Sequence, residues 1–303
     1  MVFTAFFLMS CSSDQLRINK AFDLAQQTNF TPSITNTSRF PIQIFIQNQN
    51  TKHAIIYFEG DGLVINKYGD VALNPTPTDP MALRLAAVDI RPLTKLVVNR
   101  PFHYVIGDNS RHCEPYKGVA IHDIKGGLPQ SRDALLRNDD VAKYWTTARY
   151  SPEVIQSIYE AIKQCQQKFR FETIELVAYS GGASVAFLLT PYLQNITRIV
   201  SFAGNLDHKN WTTYHHTQPL FESLDSMNHT EILSQISQIH FVGSSDDNTT
   251  IELAKAYKQQ IDSDKISIIP VDGFDHDSNW PSIWREWLAG KKSVGIPAQA
   301  GMT

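Results

Sequence analysis

The chain has 303 residues, enough for one large α/β domain or two small ones, and its 42% hydrophobic and 19% charged residues suit a globular protein with a sizeable core. Its formal net charge is −3, from 27 basic and 30 acidic side chains. There is no basic surplus to neutralise phosphates, so nucleic acid is not an expected partner. No apolar run reaches the roughly 20 residues of a spanning helix, and the three cysteines lack zinc-type spacing.

Residues 2–9 (Val-Phe-Thr-Ala-Phe-Phe-Leu-Met) form a short apolar run of the length of a signal h-region. The run leads into Leu8-Met9-Ser10-Cys11, which resembles a bacterial lipobox with Cys11 as the lipid-modified residue. Ser12, rather than Asp, after the cysteine resembles the outer-membrane sorting pattern. That places the protein in the cell envelope, touching a membrane only through an N-terminal lipid. The departure is the missing Lys/Arg n-region, which would lie upstream of Met1. A hydrophobic first strand or a fortuitous cysteine is the alternative. Residues 1–11 are thus read as a signal and lipobox segment, and the polar stretch 12–38 as a tether with a peripheral segment. In an exported protein Cys113 and Cys165 could pair; two separate thiols are an equal expectation.

From Phe40 onward the pattern is periodic. Residues 40–47 alternate and predict an edge strand, with Pro41 at its start, where a missing N–H is tolerated. Residues 54–58 are an unbroken apolar run and predict a central strand. Residues 79–87 predict a helix with Asp79 as cap and Pro80 in first position. Residues 95–99 are the next strand. Pro152–Phe169 predicts a long amphipathic helix, with Ser151 as N-cap and Val154, Ile155, Ile158, Ala161 and Ile162 along one face. Residues 174–184 read as a buried strand, a sharp turn and a helix start. Strands at Ile196–Phe202, 239–243 and Ile266–Val271 follow, with helices at 249–261 and 281–288. Such alternation predicts an α/β fold: a mostly parallel central sheet with helices on both faces. This domain covers residues 39–290, and 291–303 read as a flexible tail. Residues 103–150 and 205–230 break the rhythm on the carboxyl side of strands, where α/β sheets build their sites, and are the expected pocket walls.

The turn Ala178-Tyr179-Ser180-Gly181-Gly182 matches a nucleophile elbow, with Ala in the position usually held by Gly. So tight a turn accepts only small residues at its flanks and lifts the serine hydroxyl above the sheet edge. A serine hydroxyl is a poor nucleophile at neutral pH; it needs a base, and the base needs an orienting acid. Strand 239–243 runs into Ser244-Ser245-Asp246-Asp247-Asn248, and Ile266–Val271 into Asp272-Gly273-Phe274-Asp275-His276-Asp277. The order is Ser180, then Asp246 or Asp247, then His276, each past a strand end, with only Ile196–Phe202 skipped. Asp275 and Asp277 flank His276, but no His/Cys cluster of metal-ligand spacing accompanies them. An oxyanion hole needs two N–H groups. One is expected from Gly181 and the other from Asp61 or Gly62 in the loop Glu59-Gly60-Asp61-Gly62. A carboxylate facing a developing oxyanion would destabilise it, so Glu59 and Asp61 must turn toward the loop itself or an Arg.

These four motifs, Glu59 to Gly62, Ala178 to Gly182, Gly243 to Asp246 and Asp275-His276, resemble the α/β-hydrolase superfamily over residues 40–288. The likeness is strongest to uncharacterised bacterial lipoprotein serine hydrolases. Arg100-Pro101, the segment from Trp145-Thr146 to Arg149-Tyr150-Ser151, and Asn205-Leu206-Asp207 with Trp211 belong to the same resemblance. It implies a serine hydrolase acting on a small-molecule acyl substrate through an acyl-enzyme, of carboxylesterase type, with no cofactor and no metal, and it favours Asp246, three residues past Gly243, over Asp247 as the acid. A peptidase or thioesterase of the same fold, and a non-catalytic binding module, are alternatives. Asp207, His208 and His215-His216 are candidate substrate contacts.

Overall fold

The computed structural model describes residues 3–104 and 141–291, with side chains from residue 13 onward. Among these residues eight strands form one sheet. They are β1 (Thr31–Thr35), β2 (Ile42–Gln47), β3 (His53–Phe58), β4 (Thr94–Val98), β5 (Thr173–Tyr179), β6 (Ile196–Phe202), β7 (Gln238–Gly243) and β8 (Ile266–Val271). Their spatial order is β1-β2-β4-β3-β5-β6-β7-β8. β2 alone runs against the rest: it pairs antiparallel with β1 and β4, and every other pairing is parallel.

The strands alternate strictly between two apolar layers, as a period of two demands. Ile42, Ile44, Ile56, Phe58, Leu96, Val98, Ile174 and Leu176 face one side. There they meet helices α3 (Pro152–Phe169), α4 (Gly182–Leu189) and α7 (Ile251–Ile261). Phe45, Ile55, Tyr57, Val97 and Val177 face the other side. They pack on α1 (Phe3–Gln27), α2 (Met81–Val88) and α8 (Trp280–Leu288). Two short helices, α5 (His208–Tyr214) and α6 (Thr230–Leu233), lie between β6 and β7. In α3 the predicted face of Val154, Ile155, Ile158, Ala161 and Ile162 is buried. Arg170, in the left-handed conformation at φ 60°, ends that helix. Each large apolar side chain buried this way contributes about 1.5–3 kcal/mol.

Three expectations change. Residues 12–38 are not a tether: α1 buries Ile18, Ala21 and Ala25, and β1 pairs with β2 over its whole length. The apolar stripe of α1, made of Ile18, Ala21, Phe22, Leu24 and Ala25, is set among polar residues, and β1 is only part-buried, so a polar composition concealed both. Residues 40–47 consequently form the second strand, with β1 at the edge. Asp79 does not cap α2; it pairs with Lys20 and Arg84, and the helix start receives the Glu59 carboxylate instead, at the Ala82 N–H (3.2 Å). The cap of α7 is Thr250, which accepts from the Leu253 N–H. Cys165 is a buried free thiol, and Cys113 lies outside the described residues.

Candidate active site

The ends of β3, β5, β6, β7 and β8 converge on one cavity of about 520 Å³. Ser180 stands at the turn between β5 and α4 with φ at +50°. This region is sterically costly for a residue with a Cβ, and only surrounding structure enforces it. Two bonds do so here: the Ser180 N–H donates to the Phe202 carbonyl (3.1 Å), and the Ser180 carbonyl accepts from the Asn205 N–H (2.9 Å). The glycines are obligatory for space. A Cβ on Gly182 would stand 2.6 Å from the Phe58 carbonyl oxygen, and one on Gly181 would stand 2.1 Å from Asp61 Oδ1.

Ser180 Oγ lies 3.0 Å from His276 Nε2, and His276 Nδ1 lies 3.0 Å from Asp246 Oδ2. Asp246 is buried and Asp247 exposed, so the structure brings Asp246 to the imidazole. Asp246 also accepts from the Asn248 N–H (2.8 Å), the Thr249 N–H (2.9 Å) and the Thr249 hydroxyl (2.8 Å). Burial would raise its pKa, but the His276 and Thr249 donors outweigh burial and hold it below the usual carboxylate value. The histidine loop is clamped from behind. The His276 carbonyl accepts from Trp280 Nε1 (2.9 Å) and from the Tyr179 hydroxyl (3.2 Å), which also reaches Asp277 Oδ1 (3.1 Å).

Opposite Ser180 runs the loop from Glu59 to Gly62. The Gly60 N–H is taken by the Glu59 carboxylate (3.0 Å). Among the described residues the N–H groups of Asp61, Gly62 and Gly181 have no acceptor. Gly62, at φ +75°, is pressed against the Pro75 carbonyl, 1.9 Å from where a Cβ would sit. Both acidic side chains of the loop are engaged away from the reacting groups. Glu59 bonds the Gly60 and Ala82 N–H groups, and burial pushes its carboxyl up to about 8 against their opposing pull. Asp61 meets Arg100, Arg149 (2.6 Å) and the Tyr150 hydroxyl (3.2 Å). Burial favours its neutral form, but Arg149 and Arg100 prevail and bring its pKa down to about 2.

Parts of both expected pocket walls line the cavity: Arg149 from the first, Asn205 and Trp211 from the second. Residues 105–140 of the first lie outside the described residues. The candidate substrate contacts have other work. Asp207 caps α5 through the Lys209 and Asn210 N–H groups. His208 is buried and bonds the Leu224 carbonyl, and His215 the Asn248 carbonyl (2.7 Å). His216 is exposed. Sequence reasoning assigned no role to Tyr179, Thr249 or Trp280, nor to Arg100, Arg149 and Tyr150 as partners of Asp61. Arg100, Arg149 and Tyr150 stand in segments of the resemblance and the other three beside the catalytic motifs, but their contacts join distant segments that local sequence does not pair.

No protein-family profile matches the chain, and neither does any curated protein. Solved structures do. An esterase of Pyrococcus furiosus is similar with a TM-score of 0.54 at 13% identity, over 88% of this chain and 92% of that one. A carboxylesterase of Bacillus subtilis gives 0.51 at 12% identity, over 96% and 100%. A protein of unknown function from Agrobacterium tumefaciens, described as a putative alpha/beta hydrolase, gives 0.51 at 12%, over 86% and 95%. At such identities the likeness speaks for the fold alone. With its strand order, its one antiparallel strand and its serine turn after β5, the chain has the fold of the α/β-hydrolase superfamily.

Proposed function

We propose that the protein is a serine hydrolase cleaving acyl esters, of carboxylesterase type. Ser180 Oγ attacks the ester carbonyl while His276 Nε2 takes its proton. Asp246 holds the imidazole with its proton on Nδ1 and stabilises the imidazolium that forms. The carbonyl oxygen, now negative, accepts from the Gly181 N–H and from the N–H of Asp61 or Gly62. Collapse of this intermediate expels the alcohol, which takes the proton from His276, and leaves Ser180 acylated. A water deprotonated by His276 attacks the acyl group, and the acid leaves as Ser180 recovers its proton. The single observation that carries the reading is the hydrogen-bonded line from Asp246 through His276 to a serine at φ +50°.

The test is labelling by a fluorophosphonate with mapping of the modified peptide, alongside hydrolysis of p-nitrophenyl acetate. Wild type is expected to be labelled at Ser180 and to hydrolyse the ester, and Ser180→Ala to do neither. Labelling that persists in Ser180→Ala would sink the assignment. On the Leu8-to-Cys11 motif alone, the same reading keeps Cys11 as a lipid-attachment residue and the cell envelope as the location. Fractionation tests it: the wild-type protein is expected with membranes and Cys11→Ala in the soluble fraction, and an unchanged distribution removes the anchor.

A further inference from the structure

An acidic residue in an oxyanion-binding loop is a chemical contradiction unless its charge is cancelled. We infer that Arg100 and Arg149 are positioning residues that hold the Asp61 carboxylate and make its loop an electropositive oxyanion donor. This rests on the serine hydrolase reading and adds a means of turn-over to it.

Three segments far apart in sequence meet at this carboxylate. Asp61 follows β3, Arg100 follows β4, and Arg149 with Tyr150 precedes α3. One Asp61 oxygen pairs with Arg100, the other with Arg149 (2.6 Å), and the Tyr150 hydroxyl reaches both (3.2 and 3.4 Å). Each guanidinium is itself locked. Arg100 donates its second Nη to the Arg149 carbonyl and lies 4.9 Å over the Tyr150 ring. Arg149 donates Nε to the Thr146 carbonyl (2.9 Å). The carboxylate therefore has a single orientation, which fixes the loop backbone beside Ser180.

The cluster also bears on the other donor. Asp61 Oδ1 occupies the space of a Gly181 side chain, and the Tyr150 hydroxyl is 2.7 Å from the same Cβ position. Both expected donors thus rest on one ionic cluster. Two guanidinium charges against one carboxylate leave it with a net charge of +1. Arg149 lines the cavity beside Asp79, which pairs with Lys20 and Arg84, and Asp277, which accepts from the Tyr179 hydroxyl, so the cluster's surplus borders the space where negative charge develops. Glu59, the loop's other acid, has its carboxyl pushed up to about 8 by burial and opposes this field little at neutral pH. A preorganised positive potential favours the tetrahedral oxyanion over the neutral ester. A salt bridge serving stability alone would not discriminate between these two states.

That difference sets the experiment. Arg149→Met and Arg149→Lys are compared with wild type on p-nitrophenyl acetate, with the inhibition constant of phenylboronic acid, which forms an anionic tetrahedral adduct on an active serine. In Arg149→Met, kcat is expected to fall about tenfold or more, KM to stay within about twofold, and phenylboronic acid affinity to weaken by the same factor as kcat. Arg149→Lys, which keeps the charge and loses the fork, is expected to lie between the two. A folded Arg149→Met with wild-type kcat overturns the inference, as does a fall in kcat without matching loss of phenylboronic acid affinity. Should Arg149→Met fail to fold, Arg149→Lys and Arg100→Lys are read in the same assays, and wild-type values in both overturn it. A wild-type protein that neither hydrolyses the ester nor reacts with fluorophosphonate defeats the serine hydrolase reading itself. An active wild type with unaffected arginine variants defeats this inference alone.

Discussion

Asp246→Asn separates the two neighbouring acids and tests the line of charge through His276. The native carboxylate has no exposed side-chain surface and accepts four hydrogen bonds. Asparagine is its isostere. Its carbonyl can keep the two that Oδ1 takes from the Asn248 and Thr249 N–H groups at 2.8 and 2.9 Å. Its NH2 then replaces Oδ2, facing the Thr249 hydroxyl and His276 Nδ1. The hydroxyl can rotate to accept. The imidazole can accept only by moving its proton to Nε2, and Nε2 can then no longer take the proton of Ser180. The imidazolium formed on attack also loses its counter-charge. The fold should survive, while kcat falls about 10³–10⁴-fold, roughly 4–5.5 kcal/mol of transition-state stabilisation. The assay is initial-rate hydrolysis of p-nitrophenyl acetate between pH 6 and 9, with a thermal melt to confirm folding. Asp247→Asn, on an exposed side chain, should stay within about twofold, in the range of surface changes away from special features. A loss at Asp246→Asn smaller than tenfold, or a greater loss at Asp247→Asn, refutes the assignment of the acid.

Gly182→Ala brings a Cβ to 2.6 Å from the Phe58 carbonyl oxygen and 2.8 Å from that of Glu59, both backbone atoms. Overpacking of about 1–3 kcal/mol should exceed the gain of at most about 1 kcal/mol in helix propensity, and the melting midpoint should drop by roughly 2 °C or more; an unchanged midpoint contradicts the tight-turn argument. Asp61 has its folded pKa at about 2, below the ordinary 3.8. Its stabilisation, about 2 kcal/mol, is therefore present above pH ~4 and lost as the pH falls toward 2. Urea titrations at pH 7, 4 and 2.5 should show this loss in wild type and a flatter acid limb in Asp61→Asn; equal limbs would exclude it. Ile18→Asp places a carboxylate in the layer between α1 and α2 and should cost about 2–4 kcal/mol in the same titrations, whereas a tether would tolerate it without change.

The strand and helix order, the bounds of α3, the serine turn and the chain order of Ser180, Asp246 and His276 were legible in the sequence. Each depends on local chemistry: an unbroken apolar run, a 3.6-residue stripe, small residues around a turn, an acid or histidine just past a strand. α1 and β1 were not legible, because a short apolar stripe set among polar residues and a part-buried five-residue edge strand gain their stability from packing and pairing rather than from composition. Tertiary structure alone decided between Asp246 and Asp247, since adjacent residues past a strand differ only in which of them the fold turns inward. It also decided what becomes of the charge on Asp61. Local sequence shows an acid where an oxyanion donor is expected. The cations that answer it stand 39 and 88 residues away, and only the convergence of strand ends brings them together.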